Sequence, residues 1–454
     1  MGTFQLSDLF SPAFGLAAFG GLVLGLLLLK DLGNARLLLS IMLAFGTMTV
    51  VDDTVDTKHG VVTKTFLAPL VILRQPVLLG MGVVLALAAV AHVRRLVPNR
   101  VSGASYALIF VGCFIGLLHF VHVGMFDGAA TIAIALITLG VPALVVPSLL
   151  EEYEDFLKIV RAIAFAGIIW NACVFIQFSV NPAALMLGAS KRFMGVSGNP
   201  QHAACFLAIV GTCSLFLSMN ESHHRYRLLW LAQAAVCAVF IGWAGSRTGA
   251  LMYVIGASAV LYRRLGRAIL FLPVIALLIG IAFTILQSMQ INVATDRLVS
   301  TEDTRSAVWR NMYETGMSNP VLGAGARNAG GSENSFLLAF ASYGVGGLMC
   351  ALLLITVVSV ILFRLVRIRS RFDAAAGRLV DLQIGLFGAF FAGSLFEGYL
   401  VARLSSTTVM FILFASMSSR LIAIAASEAA DTGYVPDVPY DYGEVDEHRV
   451  AGSG

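Results

Sequence analysis

The stretch "SFLLAFASYGVGGLMCALLLITVVSVILF", Ser335 to Phe363, contains no charged residue. As a helix rising about 1.5 Å per residue, it is longer than the roughly 30 Å hydrocarbon core of a bilayer. In that medium a lone segment satisfies its backbone polar groups only as a helix. The rest of the chain repeats the pattern, with apolar runs at 13–29, 37–51, 66–93, 105–123, 128–148, 158–180, 201–218, 227–244, 248–262, 268–286, 382–398 and 404–422. The segment 66–93 is overlong and interrupted by Arg74-Gln75-Pro76, so it reads as one broken helix or as a re-entrant half followed by a span.

Composition agrees. The 454 residues are 58% hydrophobic and 12% charged, about half the charge a soluble chain uses to cover its surface. Mean hydropathy is +0.86. These values exclude a soluble α/β enzyme. The expected class is an all-α, polytopic membrane protein with about 12–14 transmembrane helices and one larger outward loop carrying short helices. The six cysteines lie inside apolar runs without metal-ligand spacing and read as small buried hydrophobes. The apolar run near residue 13 lacks a basic leader and a small-residue cleavage site, so it is expected to be a span.

Basic residues set orientation. "RRLVPNR" (94–100), "HHRYR" (223–227), "RRLGR" (263–267) and "RLVRIRSR" (364–371) fall on alternate loops, which places those loops in the cytoplasm. Loops 124–127, 181–200, 245–247, 287–334 and 399–403 then face outward. Residues 1–423 form the membrane domain. Residues 424–454 are acidic and Pro/Gly-bearing and are expected to be a disordered cytoplasmic tail. Its Tyr434, Tyr440 and Tyr442 sit among acids, either as phosphorylation sites or as part of an inert solvated tail.

Loop 287–334 is the longest hydrophilic connection in the membrane domain. "DTRSAVWRNMYETGMSNP" predicts a short helix with Asp303 or Thr304 as its cap and Asn319-Pro320 after its end. Arg305, Val308, Trp309 and Met312 share one face of it. Two readings are open for that face. Arg305 and Trp309 anchor the helix at the bilayer interface, or they line a binding site. "VLGAGARNAGGSEN" follows, where Gly323 and Gly325 allow close backbone approach to a ligand and N–H groups for an anion. Arg247 stands in the short loop of "WAGSRTGAL", and "SKRFMGVSGNPQH" supplies Lys191, Arg192 and His202. Lys191, Arg192, Arg247, Arg305 and Arg327 thus lie on the outward side, against the topological bias. A recurring outward cation is expected to meet an anion at the outer leaflet, and guanidinium forks suit a diphosphate.

Three pieces in this order resemble the bacterial O-antigen ligase and Wzy-type polymerase superfamily. They are "SRTG" at a span start, Arg305–Trp309 followed by Asn319-Pro320 and Gly323/Gly325, and "ENSFLLAFASYGVGG". In the last, a pair at Glu333-Asn334 is followed nine residues later by Gly344 and Gly347. "RFMGVSGNPQHAA" resembles the family's earlier arginine and Asn-Pro segment. The similarity is concentrated over about 245–350. The ligases carry histidine where this chain has Glu333, so the resemblance points to a polysaccharide polymerase rather than a ligase transferring glycan to lipid A–core.

The resemblance implies a metal-independent glycosyltransferase in the bacterial inner membrane, active on the periplasmic side. Its donor is an undecaprenyl-diphosphate-linked oligosaccharide and its acceptor a glycan or lipid-linked glycan. A chain-length regulator is a candidate partner, and no nucleic acid or cofactor is expected. Arg247 and Arg305 would grip the diphosphate and Glu333 would accept or orient the acceptor's proton. Arg192, Lys191, His202, Trp309, Arg327, Asn334, Gly323 and Gly325 would complete the substrate site. A transporter or flippase is the alternative from another class, with Arg74, His119, His122 and Glu397 as path-lining candidates. Glu397 and Arg403, flanking a short loop, are also candidates to pair with each other. Gly344 and Gly347 are expected to form a flat packing face on a continuous helix.

Overall fold

The computed structural model describes residues 103–124, 152–187, 192–265, 305–400 and 405–431, with isolated positions between 55 and 150. The runs 13–29, 37–51, 66–93 and 268–286, most of 128–148, and residues Lys191, Asp303, Thr304 and Arg403 lie outside them. Within them the chain is all-α. Its helices are α1 (Gly103–Val123), α2 (Tyr153–Val180), α3 (Pro200–Asn220), α4 (His224–Ala244), α5 (Arg247–Leu265), α6 (Ser306–Ser318), α7 (Ser335–Ile368), α8 (Ala374–Ser394) and α9 (Ser406–Asp431). Six of these, α2, α3, α4, α7, α8 and α9, are long and apolar enough to cross a membrane. The protein is a multi-pass membrane protein.

Two boundaries differ from expectation. Helix α8 ends at Ser394 rather than near 398, which leaves Phe396 and Glu397 in a loop. Helix α9 continues through Asp431, so the segment read as a tail from 424 begins as helix. Its next residues, including Ala425 packed inside, extend the α9 face that already carries Leu421.

Helix α3 is apolar all round and sits at the centre, packed by α2, α4 and α5, with α8 and α9 behind. Helix α5 crosses it at small residues. A Cβ on Gly249 would lie 2.4 Å from Ala204 Cβ, and one on Gly256 would lie 2.5 Å from Thr212 Oγ1. On the far side of α5, Gly385 of α8 makes a similarly close approach to Ala259. Without a hydrophobic drive between helices in lipid, such small-residue crossings supply the packing. They hold α5, and so its first turn at Arg247-Thr248, between α3 and α8. Buried amides add links: Asn171 Nδ2 donates to Gln233 Oε1 at 3.1 Å between α2 and α4, and Ser418 donates to Gln383 between α9 and α8.

Helix α7 is broken near its start. Tyr343 (φ −135°, ψ 15°) and Gly344 (φ 63°, ψ −153°) leave helical geometry. A left-handed residue with ψ near 180° is essentially restricted to glycine. The polar groups freed by the break are taken up by the loop after α6. Ala324 N–H donates to Ala341 O at 2.8 Å, Gly325 N–H donates to Ser342 O at 2.9 Å, and Val345 N–H donates to Pro320 O at 2.8 Å. The expectation of one continuous helix with a flat Gly344/Gly347 face is therefore corrected. Gly344 makes the break, with Val321 and Pro320 where its Cβ would be, and Gly347 faces Ala339 O across it. The opposite side of the break meets α1, where Tyr343 OH pairs with His119 Nδ1 at 3.3 Å and His122 Nε2 with Leu322 O at 2.8 Å.

Candidate functional site

Helix α6 forms where the sequence places it. Arg305, Val308 and Trp309 are half-buried and Met312 is buried, while Ser306, Ala307, Arg310 and Asn311 are exposed. This amphipathic face seats α6 on the short N-terminal piece of α7. Asn319 follows its last turn, as the Asn-Pro pair predicts. Arg305 itself occupies the N-cap position, so its side chain leaves the helix start and reaches into the protein.

There the guanidinium meets the loop after α8. Arg305 Nη1 donates to Phe396 O at 2.8 Å, and Nη2 donates to Thr248 Oγ1 at 3.1 Å and to Glu397 Oε1 at 3.4 Å. The Phe396 ring lies 5.1 Å from Arg305 Cζ, a cation–π contact. Its other neighbour is the Trp309 ring, stacked at 6.4 Å. Trp309 Nε1 in turn donates to Glu333 O at 3.2 Å. Arg305 and Trp309 thus both pack on Phe396.

Glu397 is buried. Its carboxylate points toward α5 and α6, where it meets Thr248 and Arg305; the candidate pairing with Arg403 lies outside the described residues. Ser335 pins this turn: its hydroxyl donates to Glu397 O at 2.5 Å and accepts from Tyr399 and Leu400 N–H. Gly398 N–H donates to Ser332 O at 2.7 Å. Desolvation pushes the Glu397 carboxyl up to about 8. Arg305 opposes that rise, the Glu333 charge adds to it, and the Thr248 hydroxyl and Arg192 oppose it. Glu333, half-buried at the mouth of α7, therefore lies within electrostatic reach of the same centre.

The other predicted residues divide into several groups. Arg192 is buried and donates Nε–H to Ala244 O at 2.9 Å, which ties loop 181–200 to the end of α4. Arg247 is the exposed first residue of α5, beside buried Thr248. His202 lies exposed in the first turn of α3, a turn capped by Asn199. Asn334 caps α7, accepting from Phe336 and Leu337 N–H, and its Nδ2 donates to Leu395 O at 2.8 Å. Its side chain thus joins Glu333 to the loop bearing Glu397.

Gly323 and Gly325 correct an expectation. Their N–H groups go to Asn319 O and Ser342 O, so they do not form an anion nest. Their positive φ of 74° and 82° lets the loop lie against the α7 break. Arg327 is on the exposed side of that loop. Structure adds Glu397, Thr248, Phe396 and Ser335 to the site. Thr248 was legible within "SRTG", and Glu397 stood out as a carboxylate beside an apolar run. Neither revealed its partner, since 57 and 92 residues separate them from Arg305.

The assembly can hold an anion through a braced guanidinium whose charge only partly meets Glu397, with an exposed arginine beside it and a half-buried carboxylate at its edge. Comparison of the chain with protein-family models and with curated proteins finds no match.

Proposed function

We propose that this protein is a membrane glycosyltransferase. It transfers an undecaprenyl-diphosphate-linked oligosaccharide to a hydroxyl of an acceptor glycan, on the periplasmic side of the bacterial inner membrane, and so extends a polysaccharide. The observation that supports this most directly is Arg305. It is half-buried, braced by Phe396 O, Thr248 and the Phe396 ring, and meets Glu397, a carboxyl that Glu333 and Arg192 also act on.

The donor carbon carries a lipid diphosphate, already a good leaving group. The protein must stabilise the charge that builds on that group and hold the acceptor in line. In this reading Arg305 and Arg247 meet the diphosphate, and Arg192 adds its positive charge from behind. Glu333 accepts or orients the acceptor's proton. A single displacement inverts the anomeric carbon. The bilayer holds the polyprenyl tail.

Reconstitution in liposomes with a labelled lipid-linked repeat tests the reading. Formation of a new glycosidic bond supports it, and translocation of the lipid without bond formation overturns it in favour of a flippase. Glu333→Gln and Glu333→His separate the roles of that carboxylate: full activity of the glutamine variant removes Glu333 from proton transfer.

A further inference from the structure

We propose that Arg305 and Glu397 form a proton-coupled latch on the anion site. In alkaline solution the Glu397 carboxylate holds the guanidinium while the site is empty, and a bound diphosphate takes that place as Glu397 becomes neutral. The proposal rests on Arg305 being the diphosphate grip.

The geometry carries it. The contact between Arg305 Nη2 and Glu397 Oε1 is 3.4 Å, long for a charge-assisted bond, which usually lies at about 2.7–2.9 Å. The bonds to Phe396 O and Thr248 Oγ1 are shorter, and the one to Phe396 O involves no carboxylate atom. The guanidinium can therefore stay in place when Glu397 releases it. Exposure is asymmetric as well: 18% for the Arg305 side chain against 5% for that of Glu397. An anion arriving from outside reaches the arginine first and leaves the carboxylate behind it.

A buried carboxylate cannot easily keep its charge beside an added dianion. Among the described residues the charged and titratable groups around Glu397 are Arg305 from α6, Glu333 from the mouth of α7, Arg192 from the 181–200 loop, Cys205 from α3, and Tyr399 of its own loop. Glu333 already repels it. Tyr399 is buried, and desolvation raises its hydroxyl further from ionisation. Taking a proton from solvent leaves Glu397 neutral, with the Thr248 hydroxyl 3.5 Å away as a hydrogen-bond partner. The proton returns to solvent when the anion leaves. The already raised proton affinity of Glu397 puts the transition near pH 8.

The test uses the full chain in detergent and a P1,P2-dialkyl diphosphate, whose charges do not titrate in this range. Binding is measured by calorimetry from pH 6.5 to 9.5 in two buffers of different ionisation enthalpy. Affinity is expected to be flat below about pH 8 and to fall by up to tenfold per unit above it, with proton uptake approaching one per anion. Glu397→Gln is expected to bind with no such fall, and Arg305→Ala to lose binding. Proton uptake by the wild type tests the latch even if the glutamine variant misfolds. Binding that Arg305→Ala abolishes but that stays flat with pH overturns the latch alone, as does an unchanged slope in Glu397→Gln. No binding by the wild type at any pH overturns the diphosphate reading and the latch with it.

Discussion

Arg305 and Glu397, 92 residues apart in sequence, meet at 3.4 Å between the start of α6 and the loop after α8. The contact draws together four separate parts of the chain, because the same guanidinium also holds Thr248 of α5 and the Glu397 loop is pinned by Ser335 of α7.

Replacing Arg305 tests whether shape or charge matters there. Lysine keeps the charge but lacks the fork that serves Phe396 O and Thr248 together. Arg305→Lys is expected to lose about 100-fold in bond formation, within the range seen when one transition-state donor is removed. Arg247→Ala is the cleaner companion, since Arg247 is exposed. Its thermal midpoint in detergent should match the wild type while long-chain polymer is lost. Unchanged chain length in both variants would remove the diphosphate grip.

Glu397 predicts how stability depends on pH. Folding raises its proton affinity from about 4.5 to about 8, so the folded state holds a proton that the unfolded state has released. The cost of this carboxyl is absent below about 4.5, grows through the interval, and is complete above about 8. It amounts to about 1.4 kcal/mol per pH unit within that window. Thermal midpoints measured between pH 5 and 9 should fall more steeply for the wild type than for Glu397→Gln. Parallel curves would refute the assignment.

Asn334 separates capping from loop attachment. Asn334→Ala removes the cap of α7, worth about 1 kcal/mol, and also leaves Leu395 O without its donor. Asn334→Asp keeps the cap oxygen and loses only the bond to Leu395. The alanine variant should therefore unfold at the lower temperature. Both should lower activity by loosening the attachment between Glu333 and the Glu397 loop. An aspartate variant with wild-type activity would show that this link is not needed.

Two glycines separated by one residue give the test of the α7 break. Gly344→Ala should cost about 1–3 kcal/mol in backbone strain alone, and more because a Cβ there meets Pro320 O at 2.5 Å. Gly346→Ala meets only the side chains of Leu118 and Phe114 at 3.3–3.4 Å and should be nearly neutral. Equal midpoints for the two variants would contradict the described geometry.

The sequence and the structure agree best where a pattern is local. The stripe Arg305, Val308, Trp309 and Met312 with Asn319-Pro320 behind it defined α6, and long uncharged runs defined the spans. Legibility failed where the cause is tertiary. "SYGVGG" interrupts no apolar pattern, and the break at Gly344 is stabilised by a loop some twenty residues upstream. Read locally, its glycines serve equally well as a packing face. The bond between Glu397 and Arg305 crosses 92 residues, a distance that neighbourhood along the chain does not show. Asn334 was marked by its place in a motif, while its cap and its bond to Leu395 are visible only in three dimensions.

The division of α7 has a mechanical consequence. A rigid rod through the bilayer would pass any change of tilt, caused by a thicker or thinner membrane, directly to the residues at its tip. Here the long shaft ends at Gly344 and the short first piece packs on α6, while Val345 N–H of the shaft is bonded to Pro320 O and the N–H groups of Ala324 and Gly325 to the short piece. One loop therefore grips both pieces, and a lean of the shaft is expected to pass to α6 through that loop.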